Sequence, residues 1–446
     1  MRRLALLLAA AAAFALLPTQ AVATDLGAIQ RTQQVPPLPP TSPVSPNTPM
    51  SKPTPLQDSC PKLLESFKQR APSSTEIVTC VRSEAPSTPV AKEAARQAIQ
   101  GVGVQEAAPP AWCTEAAHMD GNWWFTRFDA CRSWTATALV YEGAAYLGLI
   151  QSAVFEYVYT GGGTTGVAAY KAQISILPNL ITPGVPPVVL SKELECTGAC
   201  TRVDGGASTK PVVLMQPAQS EGGIITSPGI GSVAATEGKH VFNYVGAGTI
   251  YTEDLWSLFP VVRCDNALQG ITGPGCVFYE YKPTLAYSYS RAFDFGVAMH
   301  VGWSLWSGLP GGAGSSTYLH RTGDADLNTK NRNRACPSNT PQNTYPRPEG
   351  YSCDEYPFAS TLEGAWTASP PKDPPTPWPA RTFDWCQLNW ANTQVLDALS
   401  PLPGPAGFSR CNIPAQENTN GGQTLNNFYR DHRINAGDAF QVGVYA

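Results

Sequence analysis

Twelve cysteines falling into six local couples constrain this 446-residue chain more than any other feature. The couples are Cys60 and Cys80, Cys113 and Cys131, Cys196 and Cys200, Cys264 and Cys276, Cys336 and Cys353, and Cys386 and Cys411. An even number of cysteines in an exported chain reads as a disulfide framework, which persists only in an oxidising compartment. The sequence does not determine connectivity, and pairing of nearest neighbours along the chain is the expectation. A zinc site fits poorly, because no Cys-x-x-Cys occurs and none of the five histidines is spaced beside the cysteines as a ligand.

Export is legible at the N-terminus. Arg2 and Arg3 precede an apolar run from Leu4 to Leu17, and Ala21-Val22-Ala23 supplies the small residues a signal peptidase accepts. Residues 1–23 are therefore expected to be a signal peptide cleaved after Ala23, giving a secreted, extracellular protein. No later run reaches 18 apolar residues, so no second membrane anchor is expected. The formal charge of -4 carries no global footprint of a nucleic-acid or anionic-membrane binder, so any such partner must meet a local site.

Composition divides the rest. Nine of the twenty residues from Pro36 to Pro55 are proline, which predicts an extended spacer over 24–57. Residues 58–110 hold runs such as Lys62 to Phe67 and Lys92 to Ile99, with helix formers and apolar residues three or four apart, and predict a small helical region. Residues 111–310 turn to short β-branched and aromatic runs broken by Gly and Pro: Trp134 to Tyr141, Ala153 to Tyr159, Gln173 to Leu177, Val212 to Met215 and Val277 to Tyr281. They predict an antiparallel, sandwich-like β domain. Gly161 to Gly163 and Gly311-Gly312 read as turns, since no Gly-Lys-Ser/Thr follows. Trp123, Trp124 and Phe125 read as packing aromatics, with a wall- or carbohydrate-binding face as the competing view.

From about residue 315, Asn, Arg, Asp and Gly become frequent. The densest group is Tyr351-Ser352-Cys353-Asp354-Glu355-Tyr356-Pro357, followed by Glu363-Gly364. Adjacent carboxylates repel unless a cation or a proton offsets them, and in a strand they would point to opposite faces. Alone the pair says little, because Asp-Glu dipeptides are common on surfaces. In context the segment resembles the Asp-Glu-Trp/Tyr-Pro signature of the NucA/NucB family of secreted bacterial deoxyribonucleases. The resemblance takes in Asn331 to Cys336, Gly350-Tyr351 and Glu363-Gly364, then Pro414 to Gly422, Asn426 to Tyr429 and Gly437 to Phe440.

The resemblance implies an α+β chain whose β domain is followed by a small β-β-α metal-type nuclease domain over 315–446. It implies a strand carrying Asp354 and Glu355, a second strand near Cys411 to Ala415, and a helix from about Gly421 to Tyr429. Asp354 and Asn418 are then the expected ligands of Mg2+ or Mn2+. Glu355 is the expected general base, exchangeable with Asp354, and Glu363 is expected to hold a metal-bound water or orient a ligand. His320 is a second candidate base, against a hydrogen-bonded structural role. Arg321, Arg332, Arg334 and Arg347, with backbone N–H groups at Gly421 and Gly422, are expected to meet DNA phosphates. Family members often have Asp-Asn where this chain has Glu417-Asn418, which alters the reach of that acid. The proline-rich stretch from Ser369 to Ala380 reads as an inserted surface loop.

The resulting expectation is a secreted, metal-dependent, largely sequence-nonspecific DNA endonuclease. Its rival is a non-enzymatic wall- or partner-binding protein with a degenerate nuclease domain, in which the β domain meets a wall component or protein inhibitor. A glycosidase lacks an identifiable pair of separated acids, and a serine hydrolase lacks Gly-x-Ser-x-Gly.

Overall fold

Alternating apolar and polar residues between glycine and proline turns fold into long antiparallel strands, the texture that dominates the middle of the chain. The structure, a computed structural model, describes residues 38–69, 76–102, 107–143, 145–160, 168–246, 249–266, 268, 270–271, 273–337, 347–368, 380–386 and 405–446. The expected signal peptide, the expected turn at Gly161 to Gly163 and nearly all of the expected loop from Ser369 to Ala380 lie outside these residues.

One sheet has nine strands, ordered Met50–Lys52, Trp123–Phe125, Asp129–Glu142, Ala145–Tyr159, Ala169–Ile181, Ala218–Thr226 and Cys200–Arg202, with Ile77–Glu84 and Thr249–Thr252 off that path. A second has six: Pro274–Phe278, Val262–Asn266, Ser232–Gly246, Val188–Gly198 and Ser208–Pro211, with Leu255–Leu258 beside Ser232–Gly246. Two apolar clusters draw on both sheets. Trp134, Ile150 and Ile174 meet Leu190, Phe242 and Leu255, and Phe125, Val158 and Tyr170 meet Leu194, Cys264 and Phe278. Trp123 and Phe125 are buried, so these aromatics supply packing area.

Several boundaries differ from the sequence reading. Residues 58–110 hold helices Cys60–Gln69 and Pro89–Val102, but between them Ile77–Glu84 is a strand of the large sheet. Its buried Ile77, Val78, Cys80 and Val81 are too continuous for an alternating signal. Val212 to Met215 is not a strand: Met215 has φ +61° and the segment turns there. The described part of the proline-rich segment, from Leu38, does not stand off as a spacer. Ser42 N donates to Val444 O at 2.8 Å, Tyr445 OH to Val44 O at 2.8 Å, and Met50–Lys52 pairs with Trp123–Phe125. Proline removes donors from this segment but leaves enough at Ser42 and Met50 to Lys52 to dock it.

Residues before 315 pack with the C-terminal strands and helices. Strand Thr284–Ser288 pairs in parallel with Ala439–Tyr445, whose other edge takes Leu319–His320. Helix Phe295–Trp306 places Val297, Ala298 and Val301 in one core with Leu319, Tyr356, Ile413, Phe428 and Val442. Strand Tyr351–Tyr356 pairs antiparallel with Phe408–Pro414, which runs directly into helix Ala415–Asp431, and Ala380–Arg381 closes the other edge.

All six cysteine couples are paired as nearest neighbours. Among the described residues no helix is long and apolar enough to cross a membrane.

Candidate active site

The two-residue period of strand Tyr351–Tyr356 separates the adjacent acids. Cys353 and Glu355 face helix Ala325–Ala335, where Cys353 is bonded to Cys336 and Glu355 lies 3.6 Å from the Cys336 sulfur. Asp354 and Tyr356 face the opposite way, toward His300 and Pro310. Both acids reach a cleft of about 190 Å³, also lined by Tyr287, Val297, Arg332, Phe358 and Asn418.

Asp354 is held from behind by a residue the sequence reading did not single out. His300 Nδ1 lies 2.7 Å from Asp354 Oδ2, and His300 Nε2 lies 2.9 Å from Ser409 Oγ. Ser304, one helical turn after His300, donates to the His300 carbonyl at 2.6 Å and touches Ser409 Oγ at 2.6 Å. His300 is wholly buried, whereas the Asp354 side chain keeps 11% of its surface open. The available signal was a lone imidazole in the largely apolar helix Phe295–Trp306, since a buried polar ring requires partners.

Helix Ala415–Asp431 supplies the facing wall. It starts six residues before Gly421, so the expected N-terminus at Asn420 to Gly422 is a correction: these N–H groups lie inside the helix. Pro414, with φ -52°, stands at the N-cap, and Gly421 serves packing instead. A Cβ on Gly421 would meet Val297 Cγ2 at 2.5 Å, whereas one on Gly422 would meet nothing within 4 Å. Asn418 Nδ2 donates to Ser352 Oγ at 2.8 Å and to Cys353 O at 3.1 Å. Glu417 turns away to cap helix Phe295–Trp306, its Oε2 accepting from Gly296 N. The extra methylene of Glu over Asp gives it that reach.

The remaining candidates divide. Arg332 is exposed and lines the cleft, and Arg347, which donates to Cys336 O at 2.7 Å, acts with Arg332 to moderate the Glu355 charge. Arg334 is half-buried, and burial and Arg410 lower its pKa. Arg321 is outside the cleft lining: it donates to Ile434 O and stacks on the Tyr429 ring at 4.7 Å. His320 and Glu363 are also outside that lining and pair with each other, Nδ1 to Oε1 at 2.7 Å, while His320 N donates to Oε2 at 2.8 Å.

Burial and then the Asp354 charge push Glu355 up to about 7, opposed by Arg332, a hydrogen bond from the Ala359 backbone and Arg347. Among the described residues no group of three His, Cys, Asp or Glu side chains forms a metal cage. Asp354 and Asn418 line the cleft, and theirs are the oxygens that could hold a hard cation of the kind that takes one or two protein ligands and keeps several waters.

The cleft thus brings two inequivalent carboxylates, an amide and an arginine together. Residues 310–371 match the family model described as Deoxyribonuclease NucA/NucB. The matched segment contains His320, Arg321, Arg332, Arg334, Arg347, Asp354, Glu355 and Glu363 and ends before Asn418. No curated protein and no solved structure matches the chain.

Proposed function

We propose that this protein is a secreted, divalent-metal-dependent DNA endonuclease with little sequence preference. The carrying observation is the cleft that joins Asp354, Glu355, Arg332 and Asn418 beside a segment matching a deoxyribonuclease family. The reading includes a sandwich-like β domain and a β-β-α nuclease site built from Tyr351–Tyr356, Phe408–Pro414 and Ala415–Asp431. Six disulfides support an oxidising destination.

In this reading Asp354 and Asn418 hold Mg2+ or Mn2+. Asn418 Nδ2 is tied to the Asp354 strand, which leaves Oδ1 for the cation. The bound cation supplies charge stabilisation at the scissile phosphate and at the departing oxygen. Glu355, poised near neutral pH, takes the proton of a water that bonds to phosphorus as the P–O3′ bond breaks. Arg332 at the cleft contacts phosphate oxygens, which read no sequence and make binding salt-sensitive. Glu363 and His320 form a supporting pair on the flank.

Plasmid nicking by the mature chain with Mg2+ or Mn2+ tests the proposal. Asp354→Asn and Glu355→Gln each lower the rate by about 100-fold or more, the scale of general base catalysis, and EDTA abolishes it. Wild-type cleavage by both variants, or activity that survives thorough chelation, overturns the assignment. A mature chain that cleaves no DNA leaves the wall- or partner-binding rival.

A further inference from the structure

A carboxylate that must present one oxygen to a ligand needs its other oxygen fixed, and a buried imidazole is a rigid means of doing so. We infer that His300 is a positioning residue for the proposed reaction: it holds Asp354 Oδ2 so that Oδ1 faces the cleft, and Ser409 and Ser304 hold His300 in turn. The inference rests on the nuclease reading of the cleft and extends it to a residue outside the matched family segment.

Five observations carry it. Among the described residues the His300 ring bonds to Asp354 at 2.7 Å and Ser409 at 2.9 Å, one on each nitrogen. The ring is fully buried, so it does not itself meet DNA or solvent. Ser409 lies opposite Tyr356 in the strand pair, on the same face as Asp354, so Asp354 and its support share one rigid ladder. Ser304 donates to the His300 carbonyl and touches Ser409, closing a ring of contacts within helix and strand. A nitrogen facing a carboxylate carries its proton, so Nδ1–H points at Asp354. Phe383 against the imidazole, with ring centroids 6.1 Å apart, limits its tilt.

The experiment compares His300→Leu, His300→Asn and Ser409→Ala in the full mature chain. Manganese affinity is read by calorimetry, nicking by initial rates, and folding by thermal melting. Leucine fills the space without a donor, while asparagine places an N–H close to where Nδ1 stood. Loss of such supporting bonds typically lowers metal affinity or activity by about 10- to 100-fold. His300→Leu is expected to weaken Mn2+ binding and lower kcat by that factor with KM for DNA little changed. His300→Asn recovers most of both, and Ser409→Ala falls between.

In an Asp354→Asn background, His300→Leu adds no further loss of residual cleavage, because the histidine acts through that carboxylate. A purely structural histidine would give matching losses in both backgrounds and no rescue by asparagine. Wild-type Mn2+ affinity and cleavage in a folded His300→Leu protein overturns the inference. So does His300→Asn as impaired as His300→Leu, or Ser409→Ala with unaltered metal binding should the leucine variant not fold. If the unaltered protein neither binds Mn2+ nor nicks DNA, it is the nuclease reading that fails.

Discussion

Gly421 and Gly422 show how closely neighbouring residues differ in what they tolerate. Gly421 lets helix Ala415–Asp431 approach Val297, and its carbonyl accepts from Tyr287 OH at 3.1 Å. Gly421→Ala forces a methyl against a β-branched side chain that has no room to swing, at a cost of about 1–3 kcal/mol. Gly422 faces open space, so Gly422→Ala removes only the helix penalty of glycine and stabilises by about 1 kcal/mol. Urea denaturation of the two variants is expected to move the midpoint in opposite directions. The family resemblance implied a helix start near Gly421 and so made the pair a phosphate-binding element, and nothing local reveals Val297.

At the scale of elements, the helix Phe295–Trp306 that carries His300 is capped from a distance. Its N-cap Asp294 makes no capping bond from its side chain, and Glu417 in the first turn of Ala415–Asp431 supplies the acceptor at Gly296 instead. Glu417→Ala removes a cap and a carboxylate at the positive end of a helix, with an expected loss of about 0.5–2 kcal/mol in chemical denaturation. Disulfides act on the same elements. Cys336–Cys353 ties helix Ala325–Ala335 to the Asp354 strand, and Cys386–Cys411 anchors the strand that carries Ser409. Each loop closure contributes about 2–4 kcal/mol. Reduction under native conditions is therefore expected to lower both the melting temperature and the nicking rate, and unchanged values after complete reduction would contradict this.

Across the whole molecule, the β domain grips the end of the cleft helix. Arg127 donates to His432 O at 2.8 Å and Arg433 O at 3.0 Å, and Arg263 donates to Arg433 O at 2.7 Å, where the negative end of helix Ala415–Asp431 leaves carbonyls unpaired. Both arginines also meet Asp438, and Arg433 pairs with Asp265 of the six-stranded sheet. Burial by itself would raise Asp438, but Arg263 and Arg127 outweigh it and hold the carboxyl below its ordinary value. Stability from such a group is complete above the unfolded pKa of about 3.9 and is lost as pH falls through the lower folded value. Asp438→Asn is expected to lower the melting temperature at about pH 6, by an amount that shrinks toward about pH 3 as wild type loses the same contribution. A truncation starting at Ser315 lacks both Thr284–Ser288 and the His300 helix, so it should show neither a cooperative melt nor cleavage.

Local chemistry made a large share of this molecule legible. The cysteine couples foretold all six pairings because each closes a short loop, and the Asp354-Glu355-Tyr356-Pro357 run marked the strand that bears both cleft carboxylates. Apolar texture marked the middle of the chain as β-rich, and long antiparallel strands fill it. What only the tertiary structure decided are the contacts between residues far apart in the chain: His300 behind Asp354, Glu417 capping a distant helix, Arg127 and Arg263 on the carbonyls just past the end of another. Periodicity and short motifs report on neighbours within a few positions, whereas a buried imidazole or a helix end is satisfied by whichever partner the packing delivers. The twelve cysteines thus set out the framework in the sequence, and burial selected which polar groups inside it work together.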